Sequence, residues 1–254
     1  MSNSKTILFD SLQRRRRVAA AAAQIKGRAC IAWMVALATI LAPCLSGAQS
    51  GEIRGTITDA GEVGGAASFN DNQAISMASN STLQPSNITF SFWFNRGSGS
   101  QPNYGRIFEK GTDQNGAPWG SYAVCFNGTD KTSIAVYPGF TDKTQDAWST
   151  ASGAIAANTW YYVTMTYDGS YVKAYENGVQ QYAHANTRTV FYENLPFAVG
   201  ANNNTSGGFE EYFSGAIDEV RVSKVARSAD WISTEYNNQS SPSIFYSVGN
   251  DINP

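Results

Sequence analysis

The sequence predicts an all-β fold, a sandwich or jelly roll built from many short strands. Three observations carry this. Apolar and polar residues alternate with a period of two in several runs, most clearly ITFSFWFN at 88–95. Tight-turn pairs, Asp168-Gly169 and Asn177-Gly178, separate such runs at hairpin spacing. The composition is that of a turn-rich β protein, with 13% aromatic and only 15% charged residues.

Before the strands comes an export signal, expected over residues 1–48. Arg14, Arg15, Arg16 and Arg17, with Lys26 and Arg28, form a positive lead, and an apolar run follows from Ala29 to Leu45. Ser46 and Ala48 are the small residues that precede a cleavage after Ala48. The run falls short of the roughly 20 residues of a spanning helix, so a membrane anchor is the lesser reading. Cys44 raises a lipoprotein, which Pro43 directly before it disfavours. Cys30 and Cys44 lie in the signal, so Cys125 is left without an internal disulfide partner. Its apolar neighbours mark it as a buried, inert thiol. Residues 49–60 are short and polar and read as a linker.

The domain proper is expected over 61–246. In ITFSFWFN, Ile88, Phe90, Phe92 and Phe94 share one face, while Thr89, Ser91 and Trp93 share the other. GRIFEKG, SYAVCFNG and TSIAVYPG follow, each bounded by Gly, Asn or Asp. From Trp160 to Tyr182 three strands form a meander through the two tight turns. LPFAVGAN (195–202) and FSGAIDEVRVS (213–223) complete the series. One short helix is expected from an N-cap at Ser228, with Asp230 favourable to its dipole and Asn237 and Asn238 as its end. Residues 247–254 read as a tail, and the chain reads as one module of something longer.

The formal net charge is −2. That balance argues against nucleic acid as a partner, because phosphate binding needs clustered Lys and Arg. Sugar recognition needs flat aromatics with polar neighbours, since pyranose C–H faces pack on rings and hydroxyls need hydrogen-bond partners. Trp119, Tyr122, Tyr137, Trp148 and Tyr192 are the candidates, whereas Trp93 and Trp160 sit in or beside strands and read as core. The sole histidine, His184, lies in a polar run with no serine or cysteine motif beside it, which speaks against catalysis. Asp113 and Asn115 belong to a loop without the acidic series of an EF-hand and read as plain surface.

Five segments in order, GEVGGAASFNDNQAISM, ITFSFWFN, NTWYYVTMTYDGSYVKAYENG, FAVGANNN and FSGAIDEVRVSKVARSADWISTEY, resemble the laminin-G-like domains of the concanavalin A-like lectin/glucanase superfamily. The resemblance covers roughly 61–236 and is to the bacterial, secreted members. It implies a jelly-roll sandwich of two antiparallel sheets, closed by one short C-terminal helix. It further implies a binding module for carbohydrate, protein or matrix, and a structural calcium ion held by Asn70, Asp71 and Asp218. The family usually carries Asp-Gly in that loop, where this chain has Asp71-Asn72. The related glucanases use Glu-x-Asp-x-(x)-Glu on a strand, and here Ala216 replaces the first glutamate. Asp218 and Glu219 are neighbours, which a regular strand points to opposite faces.

The expectation is therefore a secreted or cell-surface, non-catalytic module that binds a glycan or extracellular protein, with no membrane contact after signal cleavage. A glycoside hydrolase or lyase of the same superfamily, or a purely structural spacer, is the alternative.

Overall fold

The computed structural model describes residues 52–53, 56–70, 72–111, 116–204 and 208–242. The chain divides into two units, Met1–Cys44 and Leu45–Pro254, and every described residue belongs to the second. The expected signal, the tail, Asp71, Asp113 and Asn115 lie outside the described residues.

In chain order the strands are β1 (Glu52–Ile53), β2 (Thr56–Gly61), β3 (Gly64–Phe69), β4 (Ile75–Met77), β5 (Ile88–Arg96), β6 (Arg106–Lys110), β7 (Tyr122–Asn127), β8 (Asp130–Pro138), β9 (Trp148–Ser149), β10 (Trp160–Tyr167), β11 (Tyr171–Glu176), β12 (Val179–Ala185), β13 (Phe197–Val199), β14 (Asn202–Asn203), β15 (Phe209–Glu210) and β16 (Gly215–Ser223). Among the described residues one α-helix, α1 (Ala229–Ser240), follows. Two seven-stranded sheets result, ordered β1-β4-β13-β6-β7-β8-β9 and β12-β11-β10-β5-β16-β3-β2, and all their strand pairs are antiparallel. This is the expected all-β jelly-roll sandwich. The stretch expected to be a linker is a correction: it carries β1 and β2, which hydrogen-bond to β4 and β3. Backbone pairing with an open sheet edge does not require the apolar alternation that the sequence lacks there.

The period of two in β5 sorts its residues as expected. Phe90, Phe92 and Phe94 enter the space between the sheets and meet Phe108, Tyr161 and Phe213 edge-on or tilted, while Phe90 stacks on Tyr122. The opposite face of β5 is also buried. Trp93, Tyr162 and Tyr175 form a second cluster, covered by Ile232 and Tyr236 of α1. Two side-chain bonds fix the helix there: Trp93 Nε1 donates to Gln239 Oε1 at 2.6 Å, and the Tyr162 hydroxyl to Glu235 Oε2 at 2.5 Å. Ser228 caps the helix by accepting from the Trp231 amide. The helix then runs through Asn237 and Asn238, beyond the expected end, because Gln239 has a buried partner that keeps this turn wound.

The hairpin turns follow their sequence signals. Asn177 and Gly178 both have positive φ, at 49° and 78°, between β11 and β12. Asp168 Oδ1 accepts from the Ser170 and Tyr171 amides and closes the β10–β11 turn. Among the described residues, no helix is long and apolar enough to cross a membrane.

Candidate functional site

The outward face of β6, β7 and β8 carries a polar cluster. Tyr122 points inward, where it stacks against Phe90, and strand alternation turns Ala123 and Cys125 outward beside Tyr137. Arg106 and Glu109, three apart, would face opposite ways on a regular strand. A bulge between Arg106 and Phe108 adds one residue, so Arg106 lies opposite Cys125 and Glu109 opposite Ala123, on the same outward face.

Arg106 is the hub. Its Nη1 donates to the Tyr137 hydroxyl at 2.8 Å, and its Nε lies 3.1 Å from Glu109 Oε2 and 3.6 Å from Glu211 Oε2. Glu109 Oε1 accepts from the Asn203 amide at 2.8 Å. Burial pushes the Glu109 carboxyl up, against the pull of Arg106 and the Asn203 bonds. Burial likewise raises Glu211, to about 7, with Arg106 opposing and Glu210 and Glu109 adding to the rise.

A cavity of about 340 Å³ opens over this cluster. Its floor holds Arg106, Cys125 and Tyr137, and its rim holds Tyr104, Trp119, Gln145 and Glu211. Four loops supply that rim: β5–β6, β6–β7, β8–β9 and β15–β16. Tyr104 and Trp119 are about half exposed, at 52% and 53%. Tyr104 and Glu211 hold positive φ, 56° and 50°, a sparsely populated region for such residues that accumulates at functional sites. Gly139 lets two of the loops meet: a Cβ there would lie 2.2 Å from the Gly120 carbonyl and 2.3 Å from Pro118 Cβ. Gly139 also bridges to Gln145. Cys125 is a buried free thiol, and burial raises its pKa.

The structure brings together two of the five expected aromatic ligand residues, Trp119 and Tyr137. Tyr122 is a correction. It is fully buried between the sheets with its hydroxyl on the Leu83 carbonyl, because β7 begins at that residue and the inward phase includes it. Trp148 lies on β9, outside the cavity lining. Tyr192 gives its hydroxyl to the Pro85 carbonyl and lines a separate cavity of about 380 Å³. Tyr104, Arg106, Gln145 and Glu211 were not legible as site residues. The faint signal was an arginine and a glutamate inside the apolar run RIFEK.

Of the expected metal set, Asp71 lies outside the described residues, and Asn70 and Asp218 stand apart. Gly215 pairs with Phe69 and Ile217 with Ala67. Asp218 therefore stands level with Ala66, roughly 13 Å along β3 from Asn70 at strand spacing. Asp218 Oδ2 accepts from the Val63 amide at 2.9 Å and ties the β2–β3 turn to β16. Asn70 donates its amide to Gln73 Oε1. Asn70 and Asp218 do not fit one calcium ion, and no cluster of three or more metal-ligating side chains occurs among the described residues.

The acid pair itself sits on a bulge rather than a regular strand. Glu219 takes φ 53°, and the register of β16 against β5 shifts between Asp218 and Arg221. Glu219 pairs with Arg221, which also binds Glu235 of α1. His184 has a partner that its sequence context did not disclose. Its Nδ1 lies 2.7 Å from Asp146 Oδ2, and Asp146 also accepts from the Tyr182 hydroxyl and Asn186 Nδ2. Burial opposes ionisation of Asp146, but these three bonds outweigh it and hold the carboxyl below its usual range. The network pins the β8–β9 loop to the edge strand β12.

Similarity to solved structures is broad and of low identity. The binding domain of Paraclostridial Mosquitocidal Protein 1 has TM-score 0.57 and 15% identity, over 75% of this chain and 47% of that one. The receptor binding domain of botulinum neurotoxin mosaic serotype C/D gives TM-score 0.57 and 15% identity, over 75% of this chain and 46% of that one. The chain thus spans about half the length of these toxin domains. Domain 4 of an extracellular GH43 arabinanase from Geobacillus stearothermophilus, in complex with arabinotriose, gives TM-score 0.53 and 22% identity, over 72% of this chain and 86% of that one. Among curated proteins none matches the sequence. A family model, described as the concanavalin A-like lectin/glucanases superfamily, matches residues 69–233. With two antiparallel sheets in jelly-roll order beneath that match, the chain belongs to the laminin-G-like family of this superfamily.

Proposed function

We propose that the chain is a secreted, non-catalytic binding module for carbohydrate, serving adhesion or a larger surface protein, and that the Tyr104–Trp119 cavity is its ligand site. One observation carries the reading: two half-exposed aromatic rings stand over a buried polar floor. Flat rings pack on sugar C–H faces, and fixed polar groups beneath set orientation. The arabinanase domain, solved with arabinotriose, supports it as a relative in fold that holds a sugar. The toxin domains, one of them a receptor binding domain, support a receptor as the other class of ligand.

A glycan array probed with the purified domain tests this. Binding is expected for at least one glycan class and is expected to disappear in Trp119→Ala, with the fold intact. An array without any signal would retire the carbohydrate reading in favour of a protein ligand or a spacer.

One observation favours the hydrolase reading. Glu109 and Glu211 both lie against Arg106 Nε, so their carboxylates stand within roughly 7 Å, inside the range that glycosidases use. Against it, the Glu109 side chain is 1% exposed and engaged by Asn203, so only Glu211 reaches the cavity. Reducing-sugar release that is lost in Glu211→Gln would establish the enzyme reading instead.

A further inference from the structure

The lining of the Tyr104–Trp119 cavity has an imbalance of charge and of hydrogen-bonding groups. Arg106 is the one cation among its described lining residues, and its guanidinium is already committed to Tyr137, Glu109 and Glu211. Two carboxylates share that single cation, and Glu210 stands beside Glu211 in sequence. Among the buried lining atoms without a hydrogen-bond partner, Arg106 Nε is the one donor and lies within ion-pair range of Glu109 and Glu211, while two are acceptors. Gln145 Oε1 and Glu211 Oε2 are buried and have no hydrogen-bond donor among the described residues. Leaving a buried acceptor unpaired is unfavourable, so these atoms favour an incoming group that brings a donor. Sugar hydroxyls donate. Carboxylate and sulfate groups bring only acceptors and a charge of the same sign.

Resting on the carbohydrate reading, we infer that this cavity selects neutral, multiply hydroxylated sugar units against acidic ones, and that Glu211 is the discriminating residue. Its position suits the role. The left-handed backbone at Glu211 swings the side chain to the rim, where it is 27% exposed, while its carbonyl accepts from the Arg106 amide at 2.8 Å. Among the described residues it is the one carboxylate lining the cavity. Arg106 and Glu109 face it from β6, Asn202 from β14 and Glu210 from its own segment, with Tyr137 and Cys125 on the cavity floor. Burial pushes the Glu211 carboxyl up to about 7, and protonation there removes the like charge and adds a donor.

The test measures dissociation constants for a neutral probe, arabinotriose, and an acidic one, trigalacturonate, beside the full glycan array, at pH 8 and pH 6. For the wild type the neutral class is expected to bind at pH 8 and the acidic class about tenfold or more weakly, since like charges brought together at an interface are strongly disfavoured. Acidic binding should tighten on going to pH 6. In Glu211→Gln, checked for an unchanged fold by circular dichroism, the neutral-to-acidic ratio should collapse and its pH dependence vanish. Preference for acidic glycans at pH 8, or a ratio indifferent to Glu211→Gln, overturns the inference while the carbohydrate reading stands. Neutral binding that persists undiminished in Trp119→Ala places the sugar elsewhere and also overturns it. A blank array removes both.

Discussion

Asp218 shows how a single side chain decides between roles that the sequence left open. Its carboxylate spans from β16 to the Val63 amide, and the side chain is buried. Replacing it with alanine removes a hydrogen bond to the amide of an exposed turn residue, at a cost of about 0.5–1.5 kcal/mol, whereas Asp218→Asn keeps an acceptor and should lose less. Urea denaturation of the two variants checks this. Burial holds Asp218 up to about 6, and Glu211 up to about 7. Both bind their proton more tightly folded than unfolded. The stability this gives is fully present below the ordinary carboxylate range and is lost as pH rises through those values. Asp146, Asp130 and Asp142 are held low and act in the opposite sense, below that window. The Tm is therefore expected to fall between about pH 5 and pH 8, and to fall less in Glu211→Gln. A flat profile, or one unchanged in the variant, would mean that Glu211 is not buried as described.

At the scale of elements, what was legible followed the period of two. β5, β10, β11 and β12 and their turns were readable because alternation and Asn-Gly chemistry are local. The bulges in β6 and β16 were not, since an extra residue is set by the partner strand. Without the first bulge Arg106 and Glu109 would face opposite ways, so the cluster at the cavity floor was invisible in RIFEK. Trp119 could be singled out because it stands in a polar loop, and it does line the cavity. Tyr122, three residues on, was grouped with it, although the strand starts there and its phase points inward. The helix α1 was found from its N-cap, but not its role as cover for Trp93 and Tyr162. Ile232→Ala, at the centre of that cover, should cost about 2–5 kcal/mol by urea denaturation. Gly139→Ala should push the Trp119 loop away from the β8–β9 loop. Overpacking of this kind costs about 1–3 kcal/mol, and a measured loss of glycan binding together with lowered stability would confirm that this contact shapes the rim.

Across the described residues the fold places its two outer faces in different service. One sheet is covered by α1 and is sealed. The other is covered by loops and keeps a cavity. Stability rests on the aromatic layer between the sheets and the second cluster beneath the helix, with no described residues converging as a calcium site. The calcium ion that the resemblance implies is tested by melting with and without a chelator: a drop of several degrees would reveal a bound ion and an unchanged Tm would retire it, because a ligand bound only to the folded state stabilises it. The four loops that rim the cavity have a consequence for descent. Most of the groups at the cavity mouth sit on turns, while the phenylalanines that hold the sheets together sit on strands. Lineages of this domain can therefore exchange one specificity for another by drift in the turns alone, with the inherited strands carried along unaltered.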